Sequence, residues 1–303
     1  MGYRIVNRGF LTLVAILFCC AAIDVVPVQA RTSKSIHRTT KRRIARRHVR
    51  RRPPQGGVYA RSAIVLDPAT GQVLFEKNSD RVAPIASLTK LMTVMVFLEQ
   101  RPDLARSAVV TRAELTGGGH TQLRDREQVA LGDLLHMSLM CSDNVATRVL
   151  ARESGLAPGV FVARMNKKSQ ELSLTGTHFT EFTGLDERNL STAADVARLL
   201  RAAADDPLIR EISTTRSYAF RSDSRYHRIP NTNRLLYNRG IEVVGGKTGF
   251  INEAGYCLAT WVRTGGRDMI TVVLGSPTNA TRFADVLRMV RRAIDTGLSQ
   301  SQS

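Results

Sequence analysis

The patterned part of the chain begins with two short apolar segments. Residues 62–67 (Ser-Ala-Ile-Val-Leu-Asp) and 72–76 (Gln-Val-Leu-Phe-Glu) are separated by the sequence Pro-Ala-Thr-Gly at 68–71. Short apolar runs divided by proline and glycine are typical of two strands joined by a turn. The pattern therefore predicts a β-hairpin over residues 62–76.

A helix that is apolar almost all round is predicted after this hairpin. From Ala86 onward, large apolar residues recur at helical spacing: Leu88, Leu91, Met92, Met95, Val96 and Leu98. Such a helix belongs at the centre of a domain. Its first turn carries Ser87 and Lys90, which share one face because they are three residues apart. A serine cap followed by a surface lysine is the ordinary alternative, but the apolar surroundings of Lys90 argue against an exposed lysine.

The chain is predominantly helical between residue 131 and about residue 200. Two helical patterns, 131–140 and 145–152, meet at the sequence Cys-Ser-Asp-Asn of residues 141–144, and a third pattern begins near Thr192. Serine, aspartate and asparagine at such a junction are also ordinary cap and turn residues.

The last third of the chain returns to β structure before a final helix. Strands are predicted at 242–245, 256–263 and 269–274, and Thr-Gly-Gly-Arg at 264–267 is a hairpin turn between the last two. Residues 282–296 form an amphipathic helix. Strands from both ends of the sequence around a helical insertion imply one body of two lobes, with a cleft between them.

The N-terminal segment, from Met1 to Gly57, differs from the rest in composition. Its first part, 1–30, combines early arginines, an uncharged and mostly apolar run from Phe10 to Ile23, and a small residue, Ala30, at the end, which predicts a cleaved secretory signal. As a helix the run would rise only about 21 Å, short of the roughly 30 Å hydrocarbon core, so a permanent membrane span is the lesser interpretation. The protein is therefore expected to cross the cytoplasmic membrane and to act in the periplasm or cell wall.

A basic arm follows the predicted signal. The formal net charge is +18, and residues 31–52, from Arg31 to Arg52, hold eleven lysines and arginines and no acid. With the Pro and Gly residues that follow, residues 31–57 are predicted to be a disordered arm and linker. Behind a signal peptide such an arm would meet anionic envelope polymers or the membrane surface rather than nucleic acid. A plain solvated linker is the alternative.

Cysteine and histidine give little sign of metal or disulfide chemistry. Only Cys141 and Cys257 remain after the predicted signal, and two buried free thiols are favoured over a bridge between them. The six histidines form no H-E-x-x-H pair and no cluster with cysteine. Neither a metal site nor a cofactor is predicted.

Three short motifs in a fixed order carry the chemical prediction. They are Ser87-Leu88-Thr89-Lys90, Ser142-Asp143-Asn144 and Lys247-Thr248-Gly249, an S-x-x-K, S-x-N and K-T-G series. Each motif alone is weak, but their order, spacing and predicted surroundings agree with the signature of serine enzymes that react with penicillin. The signature predicts that the first motif opens a helix and that the third ends an edge strand facing Ser87.

The chain over roughly residues 62–296 resembles the low-molecular-mass penicillin-binding proteins, which are serine D-alanyl-D-alanine peptidases. Besides the three motifs, the likeness covers residues 83–93, 182–186, 189–193, 231–233, 246–250, 252–257 and 283–285, which look closest to the D-alanyl-D-alanine endopeptidase branch. It implies an α+β fold of the penicillin-binding protein and β-lactamase type: a five-stranded antiparallel sheet flanked by helices, with an all-helical lobe. The catalytic domain is predicted to span 58–298, with a tail at 299–303.

The resemblance also implies roles for the motif residues. Ser87 is the expected nucleophile, Lys90 its general base and Ser142 a proton relay to the leaving amine. Asn144 is expected to hold the substrate amide or the Lys90 amine. By the same analogy Lys247 and Thr248 bind the substrate carboxylate, Gly249 leaves room for the substrate backbone, and the N–H groups of Ser87 and Phe250 form the oxyanion hole.

The implied substrates are peptidoglycan peptide stems, with β-lactams as covalent inhibitors. An endopeptidase is favoured over a carboxypeptidase because little sequence follows Gly249, without the further β-domain and amphipathic helix of many carboxypeptidase relatives. A class A β-lactamase would need an acid within Glu-x-x-Leu-Asn between the second and third motifs, and neither Glu181 nor Glu187 lies in one. A non-catalytic penicillin sensor or wall-binding module is the remaining alternative, although sensors usually carry a membrane-spanning segment.

Overall fold

The computed structural model describes residues 57–300, with side chains described for residues 57–295. The predicted signal 1–30 and all of the predicted arm except Gly57 lie outside the described residues. The strands are β1 (Ser62–Leu66), β2 (Val73–Lys77), β3 (Ala83–Pro84), β4 (Ser107–Val109), β5 (Gln128–Ala130), β6 (Leu190–Ser191), β7 (Ser217–Arg221), β8 (Tyr226–Pro230), β9 (Glu242–Ile251), β10 (Gly255–Thr264) and β11 (Arg267–Ser276). The helices are α1 (Thr89–Glu99), α2 (Arg112–Leu115), α3 (Leu131–His136), α4 (Asn144–Glu153), α5 (Pro158–Glu171), α6 (Ala193–Ala204), α7 (Pro207–Thr214) and α8 (Asn279–Gln300).

Five strands form one antiparallel sheet in the order β2-β1-β11-β10-β9. The prediction of a five-stranded antiparallel sheet is therefore confirmed, and β9, which carries the third motif, is an edge strand. The hairpin predicted between β10 and β11 is also present. Its turn residues Gly265 and Gly266 have φ values of 57° and 73°, a conformation that glycine adopts without a steric penalty.

The sheet is covered on both faces. In β1, Ala63 and Val65 belong to the core shared with α8, whereas Ile64 and Leu66 belong to the larger core shared with the other helices. Because successive side chains of a strand point to opposite faces, β1 is buried along its whole length. In the described part of the chain, no helix is both long enough and apolar enough to cross a membrane.

Helix α1 lies at the centre of the helical side and contacts α4, α5 and α6. The prediction that it is buried nearly all round is confirmed, since eight of its eleven residues are buried. It begins at Thr89 rather than at Ala86, because residues Ala86–Leu88 form a 3₁₀ turn ahead of it. Ser87 therefore lies in that turn, just before the α-helix begins.

Other elements differ from the predicted boundaries. The helix predicted at 131–140 is α3 followed by a π turn, Met137–Cys141. The final helix begins at Asn279, earlier than the predicted start at 282, and continues to Gln300, into the predicted tail. The β7–β8 hairpin was not predicted from the sequence. Its short apolar runs are interrupted by charged residues, so its hydrophobic pattern has no clear periodicity.

A buried carboxylate joins the segment before β1 to the last helix, α8. Asp285, on α8, has no exposed surface and accepts hydrogen bonds from the backbone N–H groups of Tyr59 (3.0 Å) and Ala60 (2.8 Å). It also accepts from Ser276 Oγ at 3.3 Å and pairs with Arg288. The segment before β1 is thereby attached to both β11 and α8.

We expect Asp285→Ala to lower the free energy of unfolding by about 2–4 kcal/mol, because it leaves two backbone N–H groups without their acceptor. Urea denaturation followed by the fluorescence of Trp261, the single tryptophan, measures the change. As a control, Asp268→Ala removes an exposed pair with Arg263 and should cost less than about 1 kcal/mol. Equal losses in the two variants would contradict the anchoring role of Asp285.

Candidate active site

The turn that holds Ser87 is fixed by close backbone contacts. Ala86 has φ 50°, in the left-handed region that alanine seldom adopts. Thr89 Oγ1 donates to the Ala86 carbonyl at 2.8 Å. Gly184 lies directly against the turn, because a Cβ atom at this glycine would overlap the carbonyl group of Ala86. Any other residue at position 184 would displace the backbone next to Ser87.

Gly249, on β9, approaches the same turn from the sheet side. A Cβ atom there would lie 3.0 Å from Ile85 O and 3.2 Å from Ser87 N. The prediction that β9 faces Ser87 is confirmed by this approach. We expected the glycine to leave room for substrate, and the structure gives a further reason for it: the turn that holds Ser87 occupies the space next to its Cα atom.

Lys90 is buried without exposed surface and has three hydrogen-bonding partners. Its Nζ lies 3.1 Å from Ser87 Oγ, 2.6 Å from Asn144 Oδ1 and 2.5 Å from the carbonyl oxygen of Thr183. Asn144 and Thr183 present oxygens that can only accept. A neutral amine has two N–H groups and one lone pair, so these two acceptors use both N–H groups and leave the lone pair for the hydroxyl proton of Ser87.

Burial lowers the pKa of Lys90 from its ordinary 10.5 to about 7. The carboxylates of Glu181 and Asp143 oppose this shift because they favour the charged amine, whereas the Arg148 guanidinium favours the neutral one. A pKa near 7 gives a large fraction of neutral amine at neutral pH, which is what a general base requires.

The second motif lies where the π turn meets α4. Ser142 has φ 64°, in the left-handed region, and Asp143 caps α4 by accepting from Ala146 N at 2.9 Å. Asn144 Nδ2 donates to Gly118 O at 3.0 Å, which orients its Oδ1 toward Lys90. Within the described residues no hydrogen bond links Ser142 Oγ to Ser87 or Lys90, so its predicted relay role stays a prediction.

The third motif places a second buried lysine on β9. Lys247 is 1% exposed, and its Nζ donates to the carbonyl of Thr248 at 2.9 Å. Burial, the charge of Lys90 and the charge of Arg282 all hold the pKa of Lys247 well below its ordinary value. The repulsion between charges on Lys90 and Lys247 is mutual, so it favours the neutral form of both amines.

Thr232 connects the two sides of the cleft, a role the sequence did not reveal. Its Oγ1 lies 2.6 Å from Thr248 Oγ1 and 3.0 Å from the carbonyl of Met140, just before the second motif. Its backbone N–H also donates to Met140 O, at 3.0 Å. The sequence offered one signal for this role: Thr232 lies in the segment 231–233, which was noted above only for its resemblance to the family.

Arg282, in the first turn of α8, is a second residue that sequence reasoning missed. Its Nη1 donates to Gly249 O (3.1 Å) and Cys257 O (3.2 Å), behind the third motif. Burial lowers its pKa to about 10. The guanidinium lies 5.5 Å from the ring of Tyr256, which in turn stacks on the half-exposed ring of Phe250 at 4.3 Å. The sequence signal for this role was an arginine on the apolar side of the predicted amphipathic helix.

Both cysteines of the described region are free thiols, as favoured from the sequence. Cys257 is buried and Cys141 is partly exposed. Burial raises the pKa of Cys141 to about 12 and that of Cys257 to about 11. Both thiols are therefore protonated at neutral pH, which leaves Ser87 as the nucleophile candidate of this cleft.

Comparison with known proteins agrees with this geometry. The family model described as D-alanyl-D-alanine carboxypeptidase matches residues 48–278. The chain belongs to this family of serine peptidases, as the resemblance implied.

Several relatives and solved structures are similar over most of the chain. A D-alanyl-D-alanine endopeptidase of Pseudomonas aeruginosa is 38% identical over 249 residues, 81% of this chain and 80% of the relative. An Escherichia coli protein of the same name is 34% identical over 247 residues, 80% of this chain and 79% of the relative. The crystal structure of a Streptomyces DD-transpeptidase superposes with a TM-score of 0.74 at 26% identity, covering 78% of this chain and 98% of that one. The fold implied by the resemblance is confirmed by this match.

We expect Asn144→Asp to move the pH dependence of acylation upward. A carboxylate 2.6 Å from Lys90 Nζ would favour the charged amine and raise its pKa by about 1–3 units. The acylation rate with a fluorescent penicillin should therefore fall roughly tenfold or more at pH 7 and recover as the pH rises. Asn166→Asp, the same exchange on α5, is the control and should leave the midpoint unmoved. An unchanged midpoint for Asn144→Asp would contradict the assigned contact.

Proposed function

We propose that this protein is a peptidoglycan D-alanyl-D-alanine endopeptidase that acts through a serine acyl-enzyme and is inhibited by β-lactams. The observation that carries the proposal is the arrangement around Lys90: its amine is buried, has a pKa near neutrality, lies 3.1 Å from Ser87 Oγ, and has two carbonyl oxygens as its other partners. A serine hydroxyl is a weak nucleophile without an adjacent base. The pairing of Ser87 with a neutral lysine supplies that base.

In the proposed acylation step, Ser87 Oγ attacks the D-alanyl carbonyl carbon while its proton passes to Lys90 Nζ. The carbonyl oxygen becomes an oxyanion, for which we assign the N–H groups of Ser87 and Phe250 as donors. The C–N bond then breaks as the proton held by Lys90 is relayed through Ser142 Oγ to the leaving amine, which leaves Lys90 neutral and an ester on Ser87. Water hydrolyses this ester, which restores the hydroxyl and releases the D-alanyl acid.

We assign recognition of the substrate carboxylate to Lys247 and Thr248. Thr248 Oγ1 is paired with Thr232, and the Lys247 amine donates to the backbone carbonyl of Thr248 on the same edge strand. The cations Lys90 and Arg282 repel charge on Lys247 in the free enzyme. A bound carboxylate would reverse this balance and favour the charged amine. We infer that Lys247 takes up a proton when an anionic substrate or a penicillin binds.

The endopeptidase assignment is supported by how the relatives match. The two endopeptidases described above are 38% and 34% identical to this chain over about four fifths of its length. Carboxypeptidase activity is the alternative, because the family itself carries that description.

We predict that crosslinked muropeptide dimers are cut to monomers faster than D-alanine is released from pentapeptide monomers. The expectation rests on the similarity to D-alanyl-D-alanine endopeptidases. In a crosslink the leaving group is the side-chain amine of a diamino acid rather than D-alanine. Product masses from matched concentrations of the two substrates give the two values of kcat/KM.

The Ser87→Ala variant is the control for this comparison, and it should cut neither substrate and bind no labelled penicillin. If D-alanine release were more than about tenfold faster, roughly 1.4 kcal/mol in transition-state free energy, the carboxypeptidase assignment would replace this one. Full penicillin labelling of a folded Ser87→Ala protein would remove Ser87 from its role.

We further propose that residues 1–30 direct export and that the arm, residues 31–57, binds anionic envelope material. The support is compositional, since eleven basic residues and no acid lie between Arg31 and Arg52. Attraction of this kind is long-ranged only at low salt, because the Debye length is about 8 Å at physiological ionic strength.

Deletion of residues 31–57 should leave hydrolysis of a small soluble peptide unchanged and weaken binding to vesicles that contain phosphatidylglycerol. The difference between the full chain and the deletion variant should shrink as salt is added. Co-sedimentation across a salt series measures it. Equal binding of the two proteins at low salt would make the arm a plain linker.

A further inference from the structure

A half-buried carboxylate, Glu181, lies in the loop that supplies the Thr183 carbonyl to Lys90. The side chain of Glu181 accepts hydrogen bonds from Thr183 N (2.6 Å), Thr183 Oγ1 (2.6 Å) and Asn189 Nδ2 (2.7 Å), and also from the N–H of Gly184. Four donors thus converge on one carboxylate. All four belong to the loop 180–189, so Glu181 organises the loop from within.

This loop supplies one of the two acceptors that hold the Lys90 amine. The carbonyl of Thr183 lies 2.5 Å from Lys90 Nζ, and the N–H and hydroxyl of the same residue are bonded to Glu181. The direction of the carbonyl therefore depends on the carboxylate. The other acceptor, Asn144 Oδ1, is fixed independently through Gly118.

The same loop also contacts the backbone of the nucleophile. Gly184, whose N–H donates to Glu181, has φ 86° and packs against Ala86. Asn189 Nδ2 donates both to Glu181 and to Thr89 Oγ1 (3.3 Å), the first residue of α1. One carboxylate is thus connected to the lysine, to the 3₁₀ turn that holds Ser87 and to the start of α1, which carries Lys90.

From these contacts we infer that Glu181 is a positioning residue for acylation, which aims the Thr183 carbonyl at Lys90 so that the lysine lone pair points at Ser87. The inference rests on the proposed roles of Ser87 and Lys90. Glu181 does not touch the reacting atoms. Its charge has an opposite effect on the base, because a nearby carboxylate favours the protonated amine. The effect of Glu181 on the geometry of the site and the effect of its charge on Lys90 can therefore be measured separately.

Several other ionisable groups act on Lys90 and enter any pH dependence. Asp143 and Arg148 act from the α4 side, Cys141 from the π turn before it, and Lys247 from β9. Asp143 and Glu181 both favour the charged amine, whereas Arg148 favours the neutral amine. Removing Glu181 should accordingly lower the pKa of Lys90 even though it damages the geometry of the site.

The test is the pH profile of single-turnover acylation by a fluorescent penicillin in Glu181→Gln. The amide keeps one acceptor oxygen but turns an NH₂ group toward two donors of the loop. We expect the limiting rate constant to fall roughly ten- to hundredfold, the size of effect expected when a reacting group is displaced by about 1 Å. The acidic limb should move to lower pH at the same time. Loss of folded protein alone would change the amplitude and leave the limb in place.

Asp195→Asn is the matched control for structural damage. Asp195 is buried and accepts from Gly176 N (2.7 Å) and Thr177 Oγ1 (2.8 Å), the same pair of donor types, without contacting Lys90. We expect this variant to lose stability but to keep both the acylation rate constant and the acidic limb of the unaltered protein.

Thr183→Val provides a second variant should Glu181→Gln fail to fold. It removes one of the four donors, keeps the Glu181 charge and retains a β-branched side chain of similar size. The rate constant should fall roughly three- to tenfold, with the acidic limb unmoved. An unchanged rate constant in Thr183→Val would overturn the inference, as would normal acylation kinetics in a folded Glu181→Gln.

Two further outcomes are informative. Normal acylation with slow hydrolysis of the acyl-enzyme in Glu181→Gln would assign Glu181 to the hydrolytic water and overturn its positioning role. Failure of the underlying mechanism would be recognised separately, because Ser87→Ala would then still be labelled by penicillin. Normal Glu181 variants beside an inactive Ser87→Ala protein would refute this inference alone.

Discussion

The active cleft depends on keeping one lysine amine uncharged inside the protein. Lys90 has no exposed surface, and lowering its pKa from 10.5 to about 7 means that the site disfavours the charged amine, relative to water, by about 5 kcal/mol. The unfolded chain binds this proton more tightly than the folded chain. The resulting cost in stability is fully present below about pH 7 and is relieved as the pH rises toward 10.5. Helix α1 can accommodate the amine because its surroundings offer two fixed acceptors.

The second buried lysine supports the proposed recognition of an anion. Lys247 on β9 feels the charges of Lys90 and of Arg282, which lies behind β9. Three cations close together repel one another, and this repulsion favours neutral lysines in the free protein. In the proposed mechanism a bound carboxylate reverses this balance, so substrate binding and the protonation of Lys247 are linked. The Thr232 bridge between Met140 and Thr248 ties β9 to the residues before the second motif.

The sequence predicted those parts of the site that lie in short motifs. Ser87 and Lys90 could be paired because a spacing of three along a chain entering a helix places two side chains on one face, and the five-stranded sheet followed from the family resemblance. Glu181 could not be predicted in the same way. Its neighbours Thr183 and Asn189 are close in sequence, but its relation to Lys90 depends on how a loop without periodicity folds against α1. Gly249 was predicted for only one of its two reasons. The close contact that favours glycine there comes from the turn at Ser87, far earlier in the chain. The sequence between the two positions gives no sign of this contact.

The most direct test of this account is the titration of the Lys90 amine itself. Lysine enriched in ¹³C at Cε and ¹⁵N at Nζ gives resonances that report protonation, and the one lost in Lys90→Arg belongs to Lys90. A midpoint near pH 7 is expected in the free protein. A midpoint near 10.5, the ordinary value for an exposed lysine, would contradict the claim that Lys90 is a neutral base held toward Ser87.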